Sequence, residues 1–345
     1  MDFSKIFLKD ACPTPIGGQA VMEGIMMKGL TRTAVAVRLP DGRIHMRTTP
    51  NKQMKKWMKM PVIRGVAAFL SSLINGTEIL MYSANVLEDS IPDEEEEPGK
   101  FEKWLNSHFG EKAVWNVLIG MSVVFALIFS VGIFILMPTV VVNFLGHFTK
   151  NHIVLNLTEG IFRLLLFVIY VALISRMEDI RTVFQYHGAE HKTIHCFENG
   201  LELTPENAQQ FYTLHPRCGT SFLMFVMVIS LILFSLLGWP NLIMRLVSRL
   251  LLIPVVAGLS FEVLRWAGRS DNWIVRILSL PGLYLQKLTT KTPDNRQLEV
   301  AIAAMKAVMV PDNTPYFEGI CDLNGELIEE HRIEKNSRKD VLEEK

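Results

Sequence analysis

The sequence predicts a mainly helical, membrane-embedded bundle of about four spans, preceded by a small cytoplasmic element that contains a β-hairpin. Three observations carry this. Hydrophobic residues make up 49% of the 345 positions, and they gather in long blocks between Val114 and Val263 rather than spreading evenly. Lysine and arginine concentrate in alternate connectors between those blocks. Ahead of them, two β-prone runs flank an Asp-Gly pair.

Residues 1–60 form the cytoplasmic β element. Thr33-Ala-Val-Ala-Val-Arg-Leu39 and Arg43-Ile-His-Met-Arg47 enclose Pro40-Asp41-Gly42, and Asp-Gly between alternating runs is a strong hairpin signature. Upstream, Ile16 to Gly29 sets four glycines among apolar residues, which suits a tight turn or a close backbone approach to a substrate. Glu23, placed among these glycines, is a further candidate acid. Residues 61–90 are apolar at helical spacing but carry Arg64, Asn75 and Glu78. Charges are costly in lipid, so this helix is expected to lie on the membrane face or enter it only partly. Residues 91–112 begin with Ile91-Pro-Asp-Glu-Glu-Glu-Glu-Pro-Gly99, an acidic linker unable to build a core.

Within 113–264, the blocks at about 114–142, 153–175, 219–238 and 244–264 are each long enough to cross roughly 30 Å of hydrocarbon as a helix. Pro138 invites a kink in the first, and Glu159 and Arg163 in the second are spaced to neutralise each other. Positive charge before the first block, in the 176–218 connector and after the fourth places both termini and that connector in the cytoplasm. Arg245 and Arg249 fall on the opposite side and are expected to snorkel or pair. Residues 265–310 read as cytoplasmic amphipathic helices. Of these, Leu280 to Asp294 fits either the lipid surface or the underside of the cytoplasmic domain, and 311–345 reads as a polar, partly disordered tail. Met1 to Asp10 lacks the apolar run of a secretion signal. Lys plus Arg and Asp plus Glu each number 35, which argues against a nucleic-acid partner. Four scattered cysteines do not make a disulfide framework.

The chemistry concentrates in Tyr186-His-Gly-Ala-Glu-His-Lys-Thr-Ile-His195. Residues four apart share a helix face, so His187, His191 and His195 form one stripe with Glu190 beside it. His187 to His191 also fits the H-x-x-E-H pattern, in which two histidines hold zinc and the glutamate takes a proton from water. His215 and Cys218, in Leu214-His-Pro-Arg-Cys218, are further candidate ligands, and so is Glu262 at the cytoplasmic end of the fourth block. Their surplus over one coordination sphere implies either supporting partners or two metals.

The long motifs resemble one family. Ile16 to Met27, Tyr186 to His195, His215-Pro-Arg-Cys-Gly-Thr-Ser-Phe222 and Leu280 to Thr290 look like the bacterial YqhQ family, a domain of unknown function described as a predicted metal-dependent membrane enzyme. The resemblance covers most of residues 14–308 and implies a bacterial membrane location. The resulting expectation is a multi-pass inner-membrane enzyme with a divalent metal, zinc, that hydrolyses a peptide or lipid-linked substrate among membrane lipids. Glu190 would be its base and Arg217 its oxyanion or phosphate stabiliser. The alternative is a non-catalytic scaffold or transport component stapled by a structural metal.

Overall fold

The computed structural model describes residues 12–51, 58, 60–90, 121–122, 124–126, 128–237, 242–267 and 273–330. The acidic linker at 91–112 and the tail beyond residue 330 lie outside these. Six antiparallel strands form one meander: β1 (Gly17–Val21), β2 (Gly24–Lys28), β3 (Arg32–Arg38), β4 (Ile44–Pro50), β5 (Glu318–Cys321) and β6 (Leu327–Glu330). The expected hairpin is β3–β4, with Val37 opposite His45 and Gly42 at φ +89° in the turn. The glycine-rich segment is a second hairpin, β1–β2, rather than an isolated turn. The expected polar tail contributes β5 and β6, and Ile44 pairs with Cys321. Two strands separated by more than 250 residues are invisible to local pattern.

Both faces of the sheet are covered, which explains why β3 reads Ala-Val-Ala-Val rather than apolar-polar. On one face Val35, Val37 and Ile320 meet Val86, Ile79 and Tyr82 of α1 (Ile63–Glu88). On the other, Ile25, Met27, Ala34, Ala36 and Met46 join the core of two helices described below. The opposite end of α1 crosses α7 (Leu242–Ala267) through glycines, where a Cβ on Gly65 would lie 2.7 Å from Phe261 Cβ. Thus α1 spans from the sheet to the apolar helices.

Among the described residues, three helices are long and apolar enough to cross a membrane: α2 (Val124–Leu145), α3 (His152–Ile174) and the Val247–Trp266 part of α7. The third expected block is α6 (Thr220–Ser235), 16 residues long and shorter than the other three. The disturbance expected at Pro138 takes the form of a π-helical stretch, Gly132–Leu136, immediately before it. Pro138 has no N–H for the Phe134 carbonyl, and Arg163 Nε donates to that oxygen at 2.9 Å.

The remaining helices are α4 (Glu178–Glu198), α5 (Pro205–Gln209), α8 (Trp273–Thr289) and α9 (Asn295–Met309). α9 opens with a capping box in which Asp294 and Gln297 satisfy each other's backbone N–H groups. It is buried on nearly every side, because its alanines let the sheet and α4 approach from opposite directions. α8 packs inward, with Leu283 and Leu285 buried and Tyr284 exposed.

Candidate metal centre

α4 carries the stripe, and two neighbours hold it. At Gly188 the chain leaving α8 crosses so closely that a Cβ would lie 2.0 Å from Lys291 O. Glycine is required there, and the contact lets Lys291 N–H donate to Phe184 O at 2.8 Å. The connector from α5 to α6 runs along the same side. It is anchored by buried Gln286, which accepts from His215 N–H and donates to His215 O, both at 2.9 Å.

These contacts fix the rings. His187 Nδ1 lies 2.8 Å from Thr289 O, His191 Nδ1 lies 2.5 Å from Thr213 O, and His195 Nε2 lies 3.0 Å from Leu214 O. A carbonyl only accepts, so each of these nitrogens carries the proton and the opposite nitrogen holds a lone pair. That is how metal-bound histidines are oriented. The donors converge in two groups, each with its ligand atoms within 4.8 Å of one another: His187, His191 and Cys218, and His195, Glu198 and His215. The groups adjoin, since the His191 and His215 ring centres are 5.6 Å apart. His187 and Cys218 are half-buried, and the other four are buried.

A metal fits this arrangement. Nε2 of His191 is buried with no hydrogen-bond partner, and such orphans are rare without an undescribed ligand; His215 differs, since Arg217 N–H donates to its Nδ1 at 3.3 Å and its Nε2 lies 3.6 Å from Glu198 Oε2. Burial pushes His195 down to about 3 and His215 well below the usual imidazole range. Both rings therefore stay neutral, which is the ligand form. Two imidazoles with a thiolate, and two imidazoles with a carboxylate, are donor sets suited to zinc.

The structure rearranges the predicted set. The three stripe histidines do not share one site: His187 and His191 face Cys218, whereas His195 turns to His215, with ring centres 4.6 Å apart. Glu198 is the residue that sequence reasoning missed, although its place three residues after His195 continues the stripe. Arg217 is partly exposed and donates to Glu198 Oε1 at 2.6 Å. Glu262 joins neither group. It is paired with Arg64, whose Nε donates to it at 2.6 Å, where α1 meets α7. Glu190 is buried beside the ligands, and its Oε1 accepts Gly18 N–H from β1 at 2.7 Å. Burial raises its pKa, opposed by His187 and that N–H. Glu23 sits in the β1–β2 turn at φ +48°, 3.4 Å from the Tyr186 hydroxyl and outside both groups.

A family model for proteins of unknown function, DUF1385, matches residues 60–310, more than half of the chain. The chain belongs to the DUF1385 family. Uncharacterized protein YqhQ of Bacillus subtilis (strain 168) is 37% identical over 311 residues, covering 87% of this chain and 94% of that protein. The resemblance read from the motifs is therefore one of descent across most of the chain. No solved structure matches it significantly. All six converging donors lie inside the DUF1385 match, whereas Gly18, which holds Glu190, lies outside it.

Proposed function

We propose that this chain is a multi-pass bacterial inner-membrane hydrolase dependent on a divalent metal, zinc by its donor set, with both termini in the cytoplasm. Pairing of β4 with β5 supports the topology. Strands from both ends of the chain share one sheet, so an even number of crossings must separate them, and α2, α3, α6 and α7 make four. At 16 residues, α6 is short for a full crossing.

The observation that carries the metal reading is the buried Nε2 of His191, which has no hydrogen-bond partner and converges with donors of His187 and Cys218. His187, His191 and Cys218 would hold the ion of the outer group, a three-residue donor set of the number that catalytic zinc sites use. When bound, the ion would supply Lewis-acid activation of water near neutral pH. Glu190, held by Gly18 N–H, is the chain's own proton acceptor. Arg217 orients Glu198 through Nη2, alongside the oxyanion- or phosphate-stabilising role proposed for it. The substrate class remains a peptide or a lipid-linked molecule.

Elemental analysis of the purified full-length protein tests the reading. Wild type should carry one or two equivalents of metal, and His187→Ala should lose at least one. Glu190→Gln should keep the metal and the fold yet fail to replace the wild-type gene in a deletion strain. Metal-free wild type would refute the metal. Full replacement by Glu190→Gln would favour the stapled scaffold instead.

A further inference from the structure

One edge of the sheet ends at the candidate centre. Among the described residues, β1 is the outermost strand, paired with β2 on one side and with no strand on the other. Val21 lies opposite Gly24, Gln19 opposite Met26 and Gly17 opposite Lys28, around the two-residue turn Met22-Glu23. Antiparallel pairs alternate between hydrogen-bonded and non-bonded, and the pair that closes such a turn is bonded. Gly17, Gln19 and Val21 therefore turn their backbone groups to β2, whereas Gly18 and Ala20 turn theirs outward. The Gly18 N–H agrees with this phase, since it leaves the sheet to reach Glu190 Oε1 at 2.7 Å.

Three outward groups remain: Gly18 C=O, Ala20 N–H and Ala20 C=O. Among the described residues none of them has a hydrogen-bond partner. Gly18 and Ala20 are half-buried and Gly17 is exposed. Two of these residues lack a side chain and the methyl of Ala20 packs against the core, so a second backbone can come close. Gln19 steadies the strand from its other face, where its Nε2 donates to Gly76 O of α1 at 3.4 Å. The row leads to the metal centre. Glu190 occupies its fourth outward group, and the neighbouring His191 carries the buried Nε2 that has no hydrogen-bond partner. A row of one donor and two acceptors is complemented by a peptide backbone. An acyl chain offers it neither donor nor acceptor.

We infer that β1 is a substrate-binding strand: a peptide in extended conformation adds to its free edge and delivers one peptide bond to Glu190. This rests on the hydrolase reading above, and it narrows the substrate to peptides. At that bond the C–N link would break and a C–O link to water would form, with a proton of the water passing by way of Glu190 to the departing nitrogen.

Calorimetric titration of the zinc-loaded full-length protein in detergent tests this with four probes: acetohydroxamate, acetyl-trialanine hydroxamate, the malonyl hydroxamate of trialanine amide, and octanohydroxamate. The hydroxamate head binds metal by itself, and the two peptide probes extend from it in opposite chain directions. One peptide probe should bind at least tenfold more tightly than acetohydroxamate. Ala20→Pro removes an N–H that faces away from β2, where an edge strand tolerates proline, and should bring that probe down to the affinity of acetohydroxamate. Because Ala20→Pro risks misfolding, N-methylated probes repeat the test on wild type. Methylation at alternate nitrogens should weaken binding at least tenfold at one parity and less than twofold at the other. Equal affinity of the peptide probes and acetohydroxamate, or N-methylation tolerated at every position, would overturn the inference and leave the metal reading standing. Octanohydroxamate binding more tightly than both peptide probes would overturn it in favour of a lipid-linked substrate. Protein that binds none of the four would sink the hydrolase reading together with it.

Discussion

Substituting Gly18 by alanine tests whether the β-sheet builds the candidate centre. The new Cβ would lie 2.6 Å from Met26 O and 2.9 Å from Glu190 Cδ. One neighbour is backbone of β2, and the other is held by the Gly18 N–H bond at 2.7 Å, so neither can give way cheaply. Overpacking of this kind costs about 1–3 kcal/mol. Losing a hydrogen bond to a charged group costs about 1.5–3 kcal/mol more. A combined cost of roughly 4 kcal/mol lowers the melting midpoint by about 5–6 °C in a chain of this size. Gly17→Ala is the internal control, because nothing lies within 4 Å of its Cβ, and it should change stability by under ~0.5 kcal/mol. The assay is thermal unfolding of the full-length protein in detergent, with metal content measured on the same samples. If Gly18→Ala and Gly17→Ala melt together, the sheet does not position Glu190, and the argument that β1 completes the centre is wrong.

Other expectations follow from the same geometry. Glu262→Gln should leave metal content unchanged, because its partner is Arg64; elemental analysis would expose a lost equivalent. Glu198→Gln should release metal from the inner group and free Arg217, read as a lower metal-to-protein ratio. In cobalt-substituted protein, Cys218→Ser should abolish a thiolate-to-cobalt charge-transfer band, whereas Cys196→Ser should not. Alkylation at pH 8 should modify exposed Cys12 first. It should spare Cys321, whose thiol burial pushes up to about 12 and so keeps protonated, and it should reach Cys218 only after chelation. Deleting residues 316–345 should lower the melting midpoint, since it uncovers the β4 edge and removes Ile320 from its core.

Several features were legible because they are local. The Asp41-Gly42 hairpin depends on residues that touch in sequence. The helices of α2, α3 and α7 depend on the length of an apolar run. Ligand candidates on α4 follow from its period, and the pairing of Glu159 with Arg163 follows from a four-residue offset. Arg245 and Arg249 also pair as expected, both with Glu159.

What the tertiary structure alone decided was which donors meet. His187 and His195 share a stripe, but at 1.5 Å per residue they stand about 12 Å apart along the axis, too far for one ion with bonds near 2 Å to hold both. The period therefore names the ligands, and the α5–α6 connector divides them: Cys218 goes to the first pair, and His215 joins His195 and its helix neighbour Glu198. Glu262 resembled a ligand because an intramembrane carboxylate demands a partner, and the fold met that demand with Arg64. Two strands from the far end of the chain extend the sheet beyond β4, at the edge opposite Gly18. Contacts of such separation leave no periodic trace in a sequence, since only packing brings them within reach.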